Sequence, residues 1–266
     1  MTKAMKDCRE EWFDAESKIA VTIVDVTTAA QALVQGHLSG PTAAHYLTRG
    51  LAAAALLGAE ITEPDETLIL QMKCTGPLGG LNVECTRAGT LRGYTEKKIL
   101  DAFDGCGVPN DRKVLGEVQL QVTRSIPGRI LSQGVSSTLD SYLTKSLQRR
   151  ATIQLASAVT DECEVKIARG VLIEALPDAP SVAAVGIILK NLAVTSRTIL
   201  NQLGLNRAEL KCTTPLSFGC RCSPERAAAM LAALPLEERK LLPAAVDVTC
   251  HMCGKIWTVA VERPKS

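Results

Sequence analysis

Two thiol pairs constrain this chain more than any other feature. They are Cys220-Arg-Cys222 in "GCRCSPER" and Cys250-His-Met-Cys253 in "CHMCGKIW". A CxxC turn lets two thiolates reach one cation, and four thiolates complete the tetrahedral shell that zinc prefers. The tail from about residue 216 onward holds little else: a helical pattern over Pro224–Leu234 and a small apolar element near Trp257. So short a unit buries too little surface to fold alone, and a metal closes the gap. We therefore expect one Zn2+ per chain, held by Cys220, Cys222, Cys250 and Cys253. His251 lies between two better-placed thiols and is expected at the surface, and His37 and His45 show no partnered acid or nucleophile.

The CxC spacing separates this site from an ordinary ribbon, where both ligand pairs are usually two or more residues apart. A disulfide across one intervening residue closes a very small ring, and departures from relaxed disulfide geometry make the bond more reducible. Arg221, Arg226 and Lys255 place positive charge nearby, which favours the thiolate that oxidants attack. If oxidation consumes the ligands, zinc leaves and the tail loses what folded it. A permanent structural zinc serves the same chemistry, and both readings stand at this point. A thiol oxidoreductase using Cys250 and Cys253 fits less well, because Gly254 and a β-leaning run follow them instead of a helix.

Ten cysteines across 266 residues fit a reducing compartment better than a stapled secreted fold. "MTKAMKDCREEWFDAESK" alternates charges without an apolar stretch, so we expect no secretory signal and a cytoplasmic protein. With 46% hydrophobic residues the chain should fold. Net charge is +2 and aromatics are 3%, which leaves neither a basic footprint nor stacking platforms for nucleic acid. No apolar run reads as a membrane span. There is no GxSxG, P-loop or GxGxxG, so a hydrolase or nucleotide enzyme has no support and we expect no enzyme.

Strand and helix signals mix through residues 18–177 without βαβ alternation, which reads as α+β. Lys18–Val26 reads as a strand, and helices follow over Thr27–Gly36 and from Pro41 to Ala59. "TLILQMK", "LNVECTR" and "GTLRGYT" read as three strands, with two more pairs beyond and a helical stretch over Thr138–Arg150. From Ser181 to Leu203, Val182, Val185, Leu189, Leu192, Ile199 and Leu203 mark one face of a helix. The expected domains are a large α+β core (1–180), a helical linker (181–215) and a small C-terminal zinc-binding domain (216–266).

Cys220-Arg-Cys222-Ser223-Pro224-Glu225-Arg226 with Cys250-His-Met-Cys253 resembles the zinc signature of the heat shock protein 33 family, the redox-regulated holdase chaperones. Gly76-Pro77-Leu78 through Leu91-Arg92-Gly93-Tyr94 is similar to that family's Gly-Pro-Leu to Arg-Gly-Tyr passage. Tyr142-Leu143-x-x-Ser146-Leu147-Gln148 and Gly170-Val171-Leu172 up to Leu176-Pro177 resemble two further family motifs. The resemblance implies a chaperone that is inactive when reduced and zinc-bound. By the same analogy, oxidation pairs Cys220 with Cys222 and Cys250 with Cys253. Zinc release then unfolds tail and linker, and the oxidised chain dimerises and binds unfolding clients without ATP. Leu147 stands where the family usually has Glu, and Arg169 where it often has Gly. The linker is also shorter and more apolar than a typical charged one, from which we expect slower activation.

Overall fold

In the computed structural model, which describes residues 7–261, the β-branched run at the start of the core forms a strand with both faces buried. Residues 1–6 and 262–266, the outer ends of the expected first and third domains, lie outside the described residues. That strand, β2 (Ile19–Asp25), sends Ile19, Val21 and Ile23 to one side and Val24 to the other, as the period of two requires. It pairs antiparallel with β1 (Cys8–Asp14), a strand that the sequence reading missed. Three consecutive charges, Arg9-Glu10-Glu11, hid it. Arg9 is nonetheless buried, its guanidinium bonded to Glu11 (3.0 Å) and to Ala55 O (3.2 Å).

Helix α1 (Thr27–His37) and helix α2 (Pro41–Leu57) follow. Pro41 opens α2, where its missing N–H costs nothing, and all of α2 except Pro41, His45 and Arg49 is buried. The expectation of a buried helix is met because α2 packs between two sheets. One is six-stranded, ordered β11-β5-β4-β3-β6-β7, with β11 (Ser217–Phe218) from the tail at one edge and β3 (Thr67–Cys74), β4 (Gly80–Thr86) and β5 (Thr90–Thr95) leading into a short helix α3 (Asp111–Leu115). Strands β6 (Val118–Ile126) and β7 (Arg129–Ser136) complete its far side. The other is five-stranded, ordered β10-β1-β2-β9-β8, with β8 (Arg150–Val159), β9 (Val165–Ala175) and, at the edge, β10 (Glu209–Pro215). Between β7 and β8 a single α-turn, α4 (Leu139–Ser141), capped by the Thr138 side chain, runs into a π-type turn over Tyr142–Ser146. It is shorter than the expected helix, and Leu147 at its end packs against the core. The fold is α+β, as expected.

Residues 181–203 do not form one helix. A 3₁₀ turn over Ala183–Gly186 is followed by irregular chain, and a new helix, α5 (Ser196–Gln202), starts under a Thr195 cap. Side chains of the core satisfy the intervening backbone instead of i→i−4 bonds. Gln154 on β8 donates to Ile187 O (2.7 Å) and accepts from Leu189 N (2.8 Å), and Arg169 on β9 donates to Leu192 O (3.1 Å) and Val194 O (2.8 Å). Leu189, Leu192, Ile199 and Leu203 are buried as expected, against Val21, Val171 and Ile173 on the outer face of the five-stranded sheet. Val182 is exposed instead. The last part of the stretch, assigned to a helical linker, is a strand: β10 (Glu209–Pro215) pairs antiparallel with β1, placing Cys212 opposite Glu11. Its side chains are almost all exposed, so no apolar periodicity announced it.

The tail contains β11 (Ser217–Phe218), α6 (Pro224–Ala232), α7 (Leu236–Leu241) and a hairpin of β12 (Ala245–Thr249) and β13 (Ile256–Ala260). Helix α6 matches the expected one. The Ser223 hydroxyl accepts from Arg226 N and Pro224 takes the first turn. No described helix is long and apolar enough to cross a membrane.

Candidate metal centre and its dock on the core

Cys220 and Cys222 lie just after β11, and Cys250 and Cys253 sit in the turn between β12 and β13. That turn is a tight knuckle: Cys253 N (3.3 Å) and Gly254 N (2.8 Å) both donate to Cys250 O, and Cys250 N donates to Lys255 O (2.8 Å). The knuckle turns its two thiols toward those of Cys220 and Cys222. Cys220 Sγ is 3.7 Å from Cys250 Sγ, Cys222 Sγ is 3.6 Å from Cys253 Sγ, and all four sulfurs lie within 4.8 Å of one another. A tetrahedron built on zinc–sulfur bonds of ~2.3 Å has edges of roughly 3.8 Å. The donor set therefore fits zinc in number, kind and spacing. Among the described residues no other group of three or more His, Cys, Asp or Glu converges in this way.

The charges around the sulfurs are uneven. Burial works to raise the Cys220 thiol, but the Cys222 backbone N–H, the neighbouring thiols and Arg92 outweigh it and bring it down to about 7. Cys250 and Cys253 are both raised, first by burial. Four thiolates this close repel one another, and a cation among them is what lets all four ionise together. Arg92 directs its guanidinium at Cys220 Sγ (3.9 Å) while its Nε donates to Glu84 (2.7 Å), which also holds Arg221 (3.3 Å).

The cluster is seated on the core. Strand β11 pairs in parallel with β5, setting Ser217 beside Thr90 and Phe218 beside Leu91. Gly93 N donates to Met252 O (3.1 Å), and Gly93 O accepts from Nε2 of the buried His37 (2.8 Å). Tyr94 meets the His251 ring edge-on at 4.1 Å, so His251 makes a ring contact instead of ligating. Opposite this, the end of α1 touches the knuckle through two glycines: a Cβ on Gly36 would meet Cys253 O at 2.5 Å, and one on Gly254 would meet Gly36 O at 1.9 Å. Gly254 also has φ +74°, a region that favours glycine. Cys253 is buried in the main core as a result.

Comparison with known proteins places the chain in a family. A family model described as "Hsp33 protein" matches residues 11–260. The chain belongs to the Hsp33 family. A 33 kDa chaperonin of Thermus thermophilus is 27% identical over 285 residues, covering 94% of this chain and 83% of that protein. A 33 kDa chaperonin of Symbiobacterium thermophilum is 28% identical, covering 89% of each. The crystal structure of the 33 kDa chaperonin of Thermotoga maritima superposes with a TM-score of 0.84 over 96% of this chain and 95% of its own, at 19% identity. That likeness shows the Hsp33 fold.

The structure thus brings together the four thiols named from sequence. Sequence reasoning missed the dock: Gly36, His37, Glu84, Arg92, Gly93 and Tyr94. Its trace was the Arg92-Gly93-Tyr94 run, visible as a family motif without a stated role. The other cysteines stay apart from the cluster. Cys85 and Cys8 are each pushed up to about 11 by burial first of all, which makes them poor nucleophiles. Cys212 is exposed on the edge strand β10.

Proposed function

We propose that this chain is a redox-regulated, ATP-independent holdase of the cytoplasm. In the reduced state Cys220, Cys222, Cys250 and Cys253 hold one zinc ion, and the chaperone is silent. When bound, zinc keeps four thiolates ionised side by side and ties the tail into one piece. Oxidation pairs Cys220 with Cys222 and Cys250 with Cys253. For each disulfide, two thiolates pass two electrons to a peroxide, which takes up two protons and leaves as two waters. Each such bond removes two of the four donors. Residues 216–261 then lose their fold and their seat, residues 181–215 loosen, and the 1–180 core takes up unfolding clients and dimerises. Nucleic acid and membranes have no part in this reading.

One observation carries it: two of the four sulfurs that could hold the ion, those of Cys250 and Cys253, lie in the turn that presses on Gly36 and Gly93, and the other two follow the strand that pairs with β5. Loss of the ligands is thereby loss of the dock. The test is zinc content measured beside suppression of aggregation of a heat-unfolded protein, on one sample before and after mild peroxide treatment with warming. We expect about one zinc lost per chain as holdase activity appears. Zinc that stays bound, or activity indifferent to redox state, would make the tail a structural ribbon without a switch.

A further inference from the structure

Strand β5 would be the bare edge of the six-stranded sheet if the tail were elsewhere. A bare edge presents unpaired N–H and C=O groups and templates further strands. Here its own chain meets those groups. Ser217 N donates to Gly89 O (3.0 Å), Gly219 N to Leu91 O (3.0 Å), and Gly93 N to Met252 O (3.1 Å).

The covering strand is short. β11 has two residues, with Cys220 just beyond it, so its residence depends on the metal site that follows. Leu216, immediately before it, is buried. An open trough of about 350 Å³ lies between Pro215–Phe218 on one side and Asp7 with the α1 residues Thr28, Ala29 and Ala32 on the other. Departure of β11 and Leu216 would leave a row of unmet backbone groups on β5 and uncover the side of α1 that β11 packs against.

We infer that the β5 edge, once residues 216–261 let go, binds an extended segment of an unfolding polypeptide that adds as a parallel strand in the place of β11 and runs on to take the Gly93 N–H that Met252 O now accepts. This rests on the holdase reading above. The chain's own Leu216–Gly219 shows what fits: an extended backbone with an apolar side chain at the Leu216 position. Unfolding proteins expose such segments with their own ladder bonds unmade. Recognition through main-chain bonds is also indifferent to client sequence, as a holdase with many clients requires.

Hydrogen exchange on the full chain tests this, read at the Gly93 amide and over residues 89–95. The probe is a reduced, carboxymethylated globular protein that cannot refold. Protection of Gly93 should fall by about tenfold or more when zinc is removed under oxidation, and return by a similar factor when the probe is added. A probe that is held while Gly93 stays open overturns the inference and leaves the holdase reading intact. An amide that never opens on zinc loss overturns it as well. Protection that returns without probe and rises with protein concentration assigns the edge to a second copy of the chain, against the inference. If the oxidised chain holds no probe at all, the holdase reading fails and takes the inference with it.

Discussion

Arg169 and Asp25, neighbours across strands β9 and β2, form a largely buried ion pair at 2.7 Å, from which the same guanidinium reaches Leu192 O and Val194 O. Arg169 thus clamps an irregular segment to the sheet. Arg169→Ala should lower stability by about 3 kcal/mol, the usual scale for breaking a partly buried charged network. Because 1.4 kcal/mol is tenfold, the opening of residues 187–195 should become about a hundredfold more frequent. Limited proteolysis of the reduced protein should cut there early, with zinc content unchanged; resistance equal to the parent would refute the clamp.

Gly36→Ala tests the dock without touching a ligand. Alanine normally stabilises a helix by about 0.5–1 kcal/mol relative to glycine. Here the added Cβ would meet Cys253 O at 2.5 Å, so the sign should reverse. We expect a lower melting temperature, near-normal zinc content and faster zinc transfer to a chelator. A variant as stable as the parent would show that the knuckle shifts without cost.

Zinc removal by chelator under reducing conditions should separate the tail from the core. A metal-free tail of this size cannot hold its hairpin and two short helices, whereas the two sheets close on α1 and α2 without it. Protease digestion should remove residues beyond about 216 and leave a folded remainder; this estimate of the boundary follows from tails being nicked where backbone order ends. Simultaneous loss of the core would contradict the division.

Acid should weaken one contact in a predictable direction. Burial alone would raise the Glu66 carboxyl, but Arg124 and the Glu63 and Thr62 amides outweigh it and hold it at about 2, against an ordinary 4.5. A depressed acid stabilises the fold above its unfolded value, and that stability disappears as pH falls from about 4.5 through about 2. The shift corresponds to roughly 3 kcal/mol at neutral pH. Glu66→Gln should therefore melt well below the parent at pH 7, and the gap should close as pH drops through that window. A gap constant in pH would dismiss the ion pair as its source.

How far the sequence reaches depends on the range of the interaction. β2 and α2 were legible because burial writes a period or an all-round apolar surface into consecutive residues. β1 and β10 were not, since their pairing joins chain ends far apart and each carries charges or exposed side chains. The 181–203 stretch shows a third case. Its apolar spacing suits a helix, and four of its six marked positions are buried, yet Gln154 and Arg169 from distant strands supply the backbone partners that a helix would otherwise supply itself.

From sequence alone came the α+β class, the family likeness and the four thiols, because ligand spacing and strand period are local properties. The tertiary structure decided that the thiol knuckle rests on Gly36 and Gly93, that β11 covers the β5 edge, and that Arg169 holds the linker. Those contacts join residues well separated in sequence, and local pattern carries no record of partners brought together only when the core closes.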